Sequence, residues 1–282
     1  MTKQKSIYFD LLRGVAAILV MLGHFADTRF SGGKLYFLDY FLHDAVIIFF
    51  VLSGYIIAYI ADQRDNSSID YIINRLSRLY SVILPALLLT FILDPIGSSL
   101  APDIYQGVLQ NDQSFFRFIA NLLYIQQFWY LDIRPSSNGP FWSMSYEFSY
   151  YIIYAAFIFN TGWRKWIFPI LIALIVGIKI ICLFPIWLLG VVVYRLNKSK
   201  IKLPSAMFIF ITTPLLYLVL KEYLYPLLPV MQSLRYSQIW IWDSIVGLLI
   251  ALHISCLNQL GEHKYIVKLF DNSLNPIGIF FV

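Results

Sequence analysis

Charge is scarce in this chain. Only 13% of its 282 residues are Asp, Glu, Lys or Arg, where a soluble globular domain carries about 25%. Cysteine is nearly absent, with Cys182 and Cys256 alone and both inside apolar runs. Two such residues exclude a disulfide framework and a cysteine-based metal site, and both read as small packing residues. There is no internal repeat, no low-complexity tract and no polar stretch long enough to form a separate soluble domain. The few charges that exist give a net +5. That excess reads as the Lys/Arg bias of cytoplasmic loops, with no nucleic acid implied as a partner.

Hydrophobic residues, by contrast, make up 59% of the chain and aromatic residues 18%, with a mean hydropathy of +0.70. Apolar runs recur along the whole length. Crossing a bilayer as a helix takes about 20 mostly apolar residues. The expected fold is all-α: one polytopic transmembrane helical bundle over residues 1–282 with about nine spans. These are placed at 7–26, 41–61, 79–98, 143–160, 166–182, 183–196, 203–222, 239–257 and 266–282. The sixth is short and bounded by Pro185. Residues 115–130 are too short and polar for a span and read as an interfacial or re-entrant piece. Lys3 and Lys5 before an apolar run resemble a secretory leader, but Asp10 and Arg13 interrupt the run and no small-residue cleavage site follows. The segment reads as a retained first span.

With the N-terminus in the cytoplasm, the cytoplasmic segments hold thirteen Lys and Arg and the opposite side seven. Arg13, set aside as intramembrane, completes the 21. That asymmetry has the sign required by the positive-inside rule, and a bacterial inner (cytoplasmic) membrane is the expected location.

The first span, YFDLLRGVAAILVMLGHFAD, carries the most unusual pattern. Arg13 and His24 are eleven positions apart, so on a helix they differ by about 20° in azimuth and about 16 Å in height. Asp10, Arg13, Gly14, Ala17, Met21, His24 and Asp27 therefore form one stripe, with a charge at the cytoplasmic end and an imidazole near the far end. Ionisable groups inside a span are costly and face a cavity or a partner. The alternative is an Asp10–Arg13 pair at the interface and a His24 satisfied by a neighbouring helix. Ser53-Gly54 in FFVLSGY is a close-packing signal. Arg75 and Arg78 lie at helical i, i+3 spacing, where guanidinium forks suit phosphate or simply serve the positive-inside bias. In WSMSYE, Glu147 falls one turn after Ser143 at the start of an apolar run, where a carboxylate needs a partner or a task. Trp142 beside it suits an interface anchor or a platform for a sugar ring. His43, His253 and His263 are scattered without the spacing of a metal site, and no metal is expected.

Taken in order, FDLLRG…GH (Arg13, His24), FFVLSGY (49–55), Arg75-Leu-Ser-Arg78 and WSMSYE (142–147) resemble the motifs of the acyltransferase 3 membrane family, which includes polysaccharide and O-antigen O-acetylases. The resemblance covers the first half of the chain. Two features depart from it: Ile47 stands where the family has an acidic residue just before FFVLSG, and the chain stops at Phe280-Phe281-Val282 in an apolar run. The last of the family's roughly ten spans is therefore expected to be missing.

The resemblance implies an acyl-CoA donor, acetyl-CoA by default, and as acceptor a hydroxyl of a glycan or lipid-linked sugar. It implies donor-binding roles for Arg13, Arg75 and Arg78, with His24 as general base or transient acyl carrier, aided by Arg13 and Glu147. Trp142, Ser143 and Asp27 are the expected acceptor contacts. A flippase or transporter of a lipid-linked glycan on the same fold, without acyl transfer, is the competing expectation.

Overall fold

The computed structural model describes residues 3–65, 67–198 and 205–257. It contains eleven α-helices: α1 Lys3–Phe25, α2 Thr28–Ser31, α3 Tyr36–Gln63, α4 Ser68–Leu100, α5 Pro102–Tyr105, α6 Ser114–Leu122, α7 Trp142–Ile158, α8 Arg164–Val176, α9 Ile178–Lys198, α10 Ala206–Tyr223 and α11 Trp240–Ser255. No strand occurs among the described residues. Among the described residues, six segments are long and apolar enough to cross a bilayer: α1, α3, α4, α9, α10 and Gln232–Ser255, which contains α11. The chain is a membrane protein, all-helical over its described residues.

The expected spans 143–160 and 166–182 correspond to α7 and α8, which at 17 and 13 residues fall short of the bilayer thickness. The expected span 266–282 lies outside the described residues, as does His263. The expected break before residue 183 is misplaced. α9 runs through Pro185 without interruption, and the chain breaks at Gly177, whose φ of 89° and ψ of 171° suit glycine alone. Residues 115–130 hold only the short amphipathic α6 and the turns after it, in agreement with a non-spanning piece.

The chain forms two compact units. The first comprises residues 1–60, 185–230 and 239–282; the second comprises 61–184 and 231–238.

In the first unit α3 is the most enclosed element, buried almost continuously from Phe50 to Ala58. It meets α9 backbone to backbone: a Cβ added to Gly54 would collide with the Trp187 carbonyl, and one added to Gly190 with that of Val51. Small residues permit this approach, and without it the two helices could not exchange close van der Waals contacts. Phe9 of α1 packs edge-on against Tyr55 with ring centroids 4.8 Å apart. Gly23 of α1 sits against the Leu42 side chain in the same way. Cys256 is buried beside Ala206, Ile209 and Phe210, as expected of a packing cysteine.

In the second unit α7 lies along α8 and touches α4. Ser67 caps α4 by accepting from the Asp70 amide at 3.1 Å. The Gly177 break is closed by Trp129, which donates its amide to Val176 O at 2.9 Å and its indole N–H to Leu174 O at 3.0 Å. Lys179, counted with the non-cytoplasmic charges and inside the expected span 166–182, is fully buried. Its ammonium donates to Gln127 Oε1 at 3.1 Å and Leu131 O at 2.5 Å.

Candidate functional site

The first unit carries the Arg13–His24 stripe on an unbroken helix, so the spacing expected for a straight α1 holds. At its lower end Arg13 pairs with Asp10 at 3.2 Å, both partly exposed. Above them Gly14 is buried, whereas Ala17, Met21 and His24 are exposed along one line. The His24 imidazole has no hydrogen-bond partner among the described residues, and Asp27 and Asp39 are the carboxylates nearby. Asp27 is held firmly. It caps α2 by accepting from the Arg29 amide at 3.0 Å, and its two oxygens receive the Arg29 guanidinium at 2.8 and 2.5 Å. Those bonds pull its carboxyl down to about 2, so it stays ionised at any physiological pH. The stripe thus ends in an open imidazole beside a permanent negative charge.

The other expected residues lie in the second unit. Arg75 is buried, and its guanidinium donates to Asp65 at 2.7 Å while lying over the Tyr71 ring at 5.0 Å. Arg78, one turn on, is exposed, and its guanidinium makes no contact of this kind among the described residues. The i, i+3 spacing therefore puts the two arginines into different surroundings. Around WSMSYE the backbone is pinned from several directions. Asp94 of α4 accepts from both the amide (2.8 Å) and the hydroxyl (2.9 Å) of Ser137, and Asn138 donates to Thr90 at 3.1 Å. Ser145 donates to Tyr124 O at 2.6 Å. Glu147 accepts the hydroxyl of Tyr151 one turn on, and Tyr71 donates to the carbonyl of that same tyrosine at 3.2 Å. Trp142 is buried, with one face stacked on Tyr236 (centroids 4.6 Å, planes 3° apart) and Tyr146 edge-on at 5.0 Å. Ser143 is half-buried at the start of α7.

The family model of the acyltransferase 3 domain matches residues 6–257, which takes in both units. The chain belongs to the acyltransferase 3 family. It is also 30% identical over 155 residues, 53% of its own length, to the O-acetyl transferase of Shigella phage Sf6. The aligned part spans 45% of that phage protein. No solved structure matches the fold.

In this acyltransferase 3 chain the acid expected just before FFVLSG is replaced by Ile47, which is fully buried. One turn earlier on α3 stands a carboxylate the motif reading passed over. Asp44 is buried at the centre of a network: Lys221 pairs with it at 2.8 Å, Tyr217 donates at 2.7 Å and the Trp242 indole at 2.8 Å. The Lys221 ammonium also lies over the rings of Tyr225 (4.1 Å), Tyr40 (4.4 Å) and Trp242 (5.1 Å). His43, one of the scattered histidines, pairs with the buried Asp243 at 3.2 Å. His253 is bonded at both nitrogens, to Tyr8 at 2.5 Å and Thr213 at 2.9 Å. The sequence signal for all of these was a charge inside an apolar run; what it could not name was the partner. No group of side chains able to hold a metal ion occurs among the described residues.

Proposed function

We propose that this acyltransferase 3 protein is a membrane O-acyltransferase that moves an acetyl group from acetyl-CoA to a hydroxyl of a cell-surface glycan or lipid-linked sugar. The observation that carries the proposal is His24: an open imidazole at the end of an exposed track on α1, beside a carboxylate that stays ionised. In a family of acyltransferases, and with a phage relative named an O-acetyl transferase, that group suits a general base.

His24 takes the proton of the acceptor hydroxyl as its oxygen attacks the thioester carbonyl. The C–O ester bond forms, the C–S bond breaks, and the thiolate of coenzyme A leaves and recovers the proton. Asp27 stabilises the imidazolium in between, an electrostatic contribution that needs no rearrangement. A transient acyl-His24 would serve the same overall transfer. Arg13, about 16 Å along α1 from His24, suits the donor's phosphates, with the smooth Ala17–Met21 surface beside the extended pantetheine arm. The family resemblance assigns Arg75 and Arg78 to the same donor. Of those two, Arg78 has the guanidinium open for it, and Arg75 holds its place through Asp65. Glu147 and Ser143 are proposed at the acceptor, with Tyr151 orienting the carboxylate and Trp142 supporting the Tyr236 ring.

The test is transfer of label from radiolabelled acetyl-CoA into cell-envelope glycan, using membranes with and without this chain. Covalent label that appears only with the chain supports the reading. Glycan translocation without covalent label would overturn it in favour of transport.

A further inference from the structure

Between α1, α3, α10 and α11 of the first unit lies a partly open cavity of about 230 Å³ that no part of the proposed chemistry uses. Leu12, Leu19, Phe41, Pro214, Val246 and Ile250 form most of its wall. Its polar lining residues are Asp44, Thr213, Tyr217 and His253. Each is already bonded within the protein: Asp44 to Lys221, Tyr217 and Trp242, and His253 to Tyr8 and Thr213. An occupant would therefore find apolar surface and no vacant polar partner.

The surroundings narrow the choice. Leu12 and Leu19 straddle the middle of α1, and Thr213–Tyr217 the middle of α10, so the cavity sits at mid-depth of two spanning helices. On either side of it Val15 and Ile18 of α1 and Ile211 and Leu218 of α10 are exposed apolar residues, which face hydrocarbon in a bilayer. Water gains nothing in an apolar space that lacks two to four polar partners. Empty space of this size removes dispersion contacts from every wall.

We infer that this cavity binds one acyl chain of a bilayer phospholipid, admitted from the side between α1 and α10, with the headgroup left at the membrane surface. Phospholipid is the solvent at that depth, so mass action favours its chains over those of any scarcer lipid. The inference rests on the membrane fold and not on the acyl-transfer reading.

The full chain is reconstituted into vesicles of phosphatidylethanolamine and phosphatidylglycerol whose acyl chains carry a mid-chain diazirine, irradiated, and digested for mass spectrometry. Adducts are expected on the cavity wall, at Leu12 and Leu19 of α1, Phe41 of α3, Pro214 of α10, and Val246 and Ile250 of α11. Adducts confined to outward residues such as Leu88 of α4 would overturn the inference. In parallel, the parent chain purified in mild detergent is expected to retain about one phospholipid, one for this cavity. Two filling variants, Ala45→Phe and Ile250→Trp, should retain several-fold less, and the control Leu88→Trp should retain as much as the parent. Equal retention by folded filling variants, no lipid in the parent, or a polyprenyl lipid in its place would each contradict it. The diazirine experiment needs no variant, so it decides the matter even if both filling variants misfold.

Discussion

Asp44 and His24 lie on neighbouring helices of the same unit, and the protein treats them in opposite ways. Asp44 is buried, and its oxygens meet an ammonium, a phenol and an indole. His24 is exposed, and its imidazole has no hydrogen bond among the described residues. A charge buried in a membrane protein survives only when its partners are supplied, and once supplied they fix three helices, α3, α10 and α11, to one another. A charged or titratable group left open gives little to the fold and remains free for a reacting molecule. The same contrast divides the arginines of the second unit, with Arg75 committed to Asp65 and Arg78 uncommitted. Residue type in a motif therefore does not distinguish the two uses; partners do.

Changes on the committed side should damage the fold most. Lys221→Ala leaves Asp44 buried without its cation, which by analogy with other buried pairs costs about 3–5 kcal/mol. The variant is expected to disappear from the membrane fraction or to melt far below the parent in detergent. Adding Asp44→Asn should restore part of the loss. If Lys221→Ala melts like the parent, the network is not structural. Gly54→Val comes next, because no side chain fits against the Trp187 carbonyl. Overpacking of this sort costs about 1–3 kcal/mol or more, read as a lower melting temperature.

The arginine pair sharpens the contrast. Arg75→Ala strands the buried Asp65 and should lower stability markedly. Arg78→Ala should leave the melting temperature within the range of a surface change, about 0.5 kcal/mol. It should instead raise KM for acetyl-CoA by roughly tenfold or more, the worth of a charge-assisted phosphate contact. Equal effects of the two on stability would erase the distinction drawn between them.

The smallest effect is expected at Arg29. Asp27 has its carboxyl depressed to about 2 from 3.8. A depressed carboxyl contributes stability above its unfolded value and loses it only as pH falls toward the folded one. The difference in melting temperature between parent and Arg29→Ala should thus be small and flat from about pH 5 to about pH 8. A slope within that window would mean that another group titrates with the pair.

Much of this was legible in the sequence, for identifiable reasons. The α1 stripe follows from helical period alone, so the alignment of Arg13 with His24 needed no tertiary information. The long apolar helices announced themselves by length. The break between α8 and α9 did not: proline suggested Pro185, yet a helix in a membrane tolerates one missing amide. The actual break uses the backbone freedom of Gly177, closed by Trp129 from a distant loop. Lys179 read only as a charge near the outer end of a span because its acceptors, Gln127 and Leu131, lie about fifty residues away. Asp44 and Lys221 could each be noticed as charges near apolar runs. Their pairing, 177 positions apart, depends on how α3 and α10 fold together. The site was readable where it rests on one helix and unreadable where it depends on contacts between helices.

The proposed transfer needs His24 open for chemistry and not for support. The direct test is the rate of acetyl transfer by His24→Ala, at matched membrane levels, beside its melting temperature. Loss of a positioned general base predicts a rate lower by about 10²–10⁴-fold with the melting temperature nearly unchanged. Transfer at the parental rate by the folded variant would contradict it.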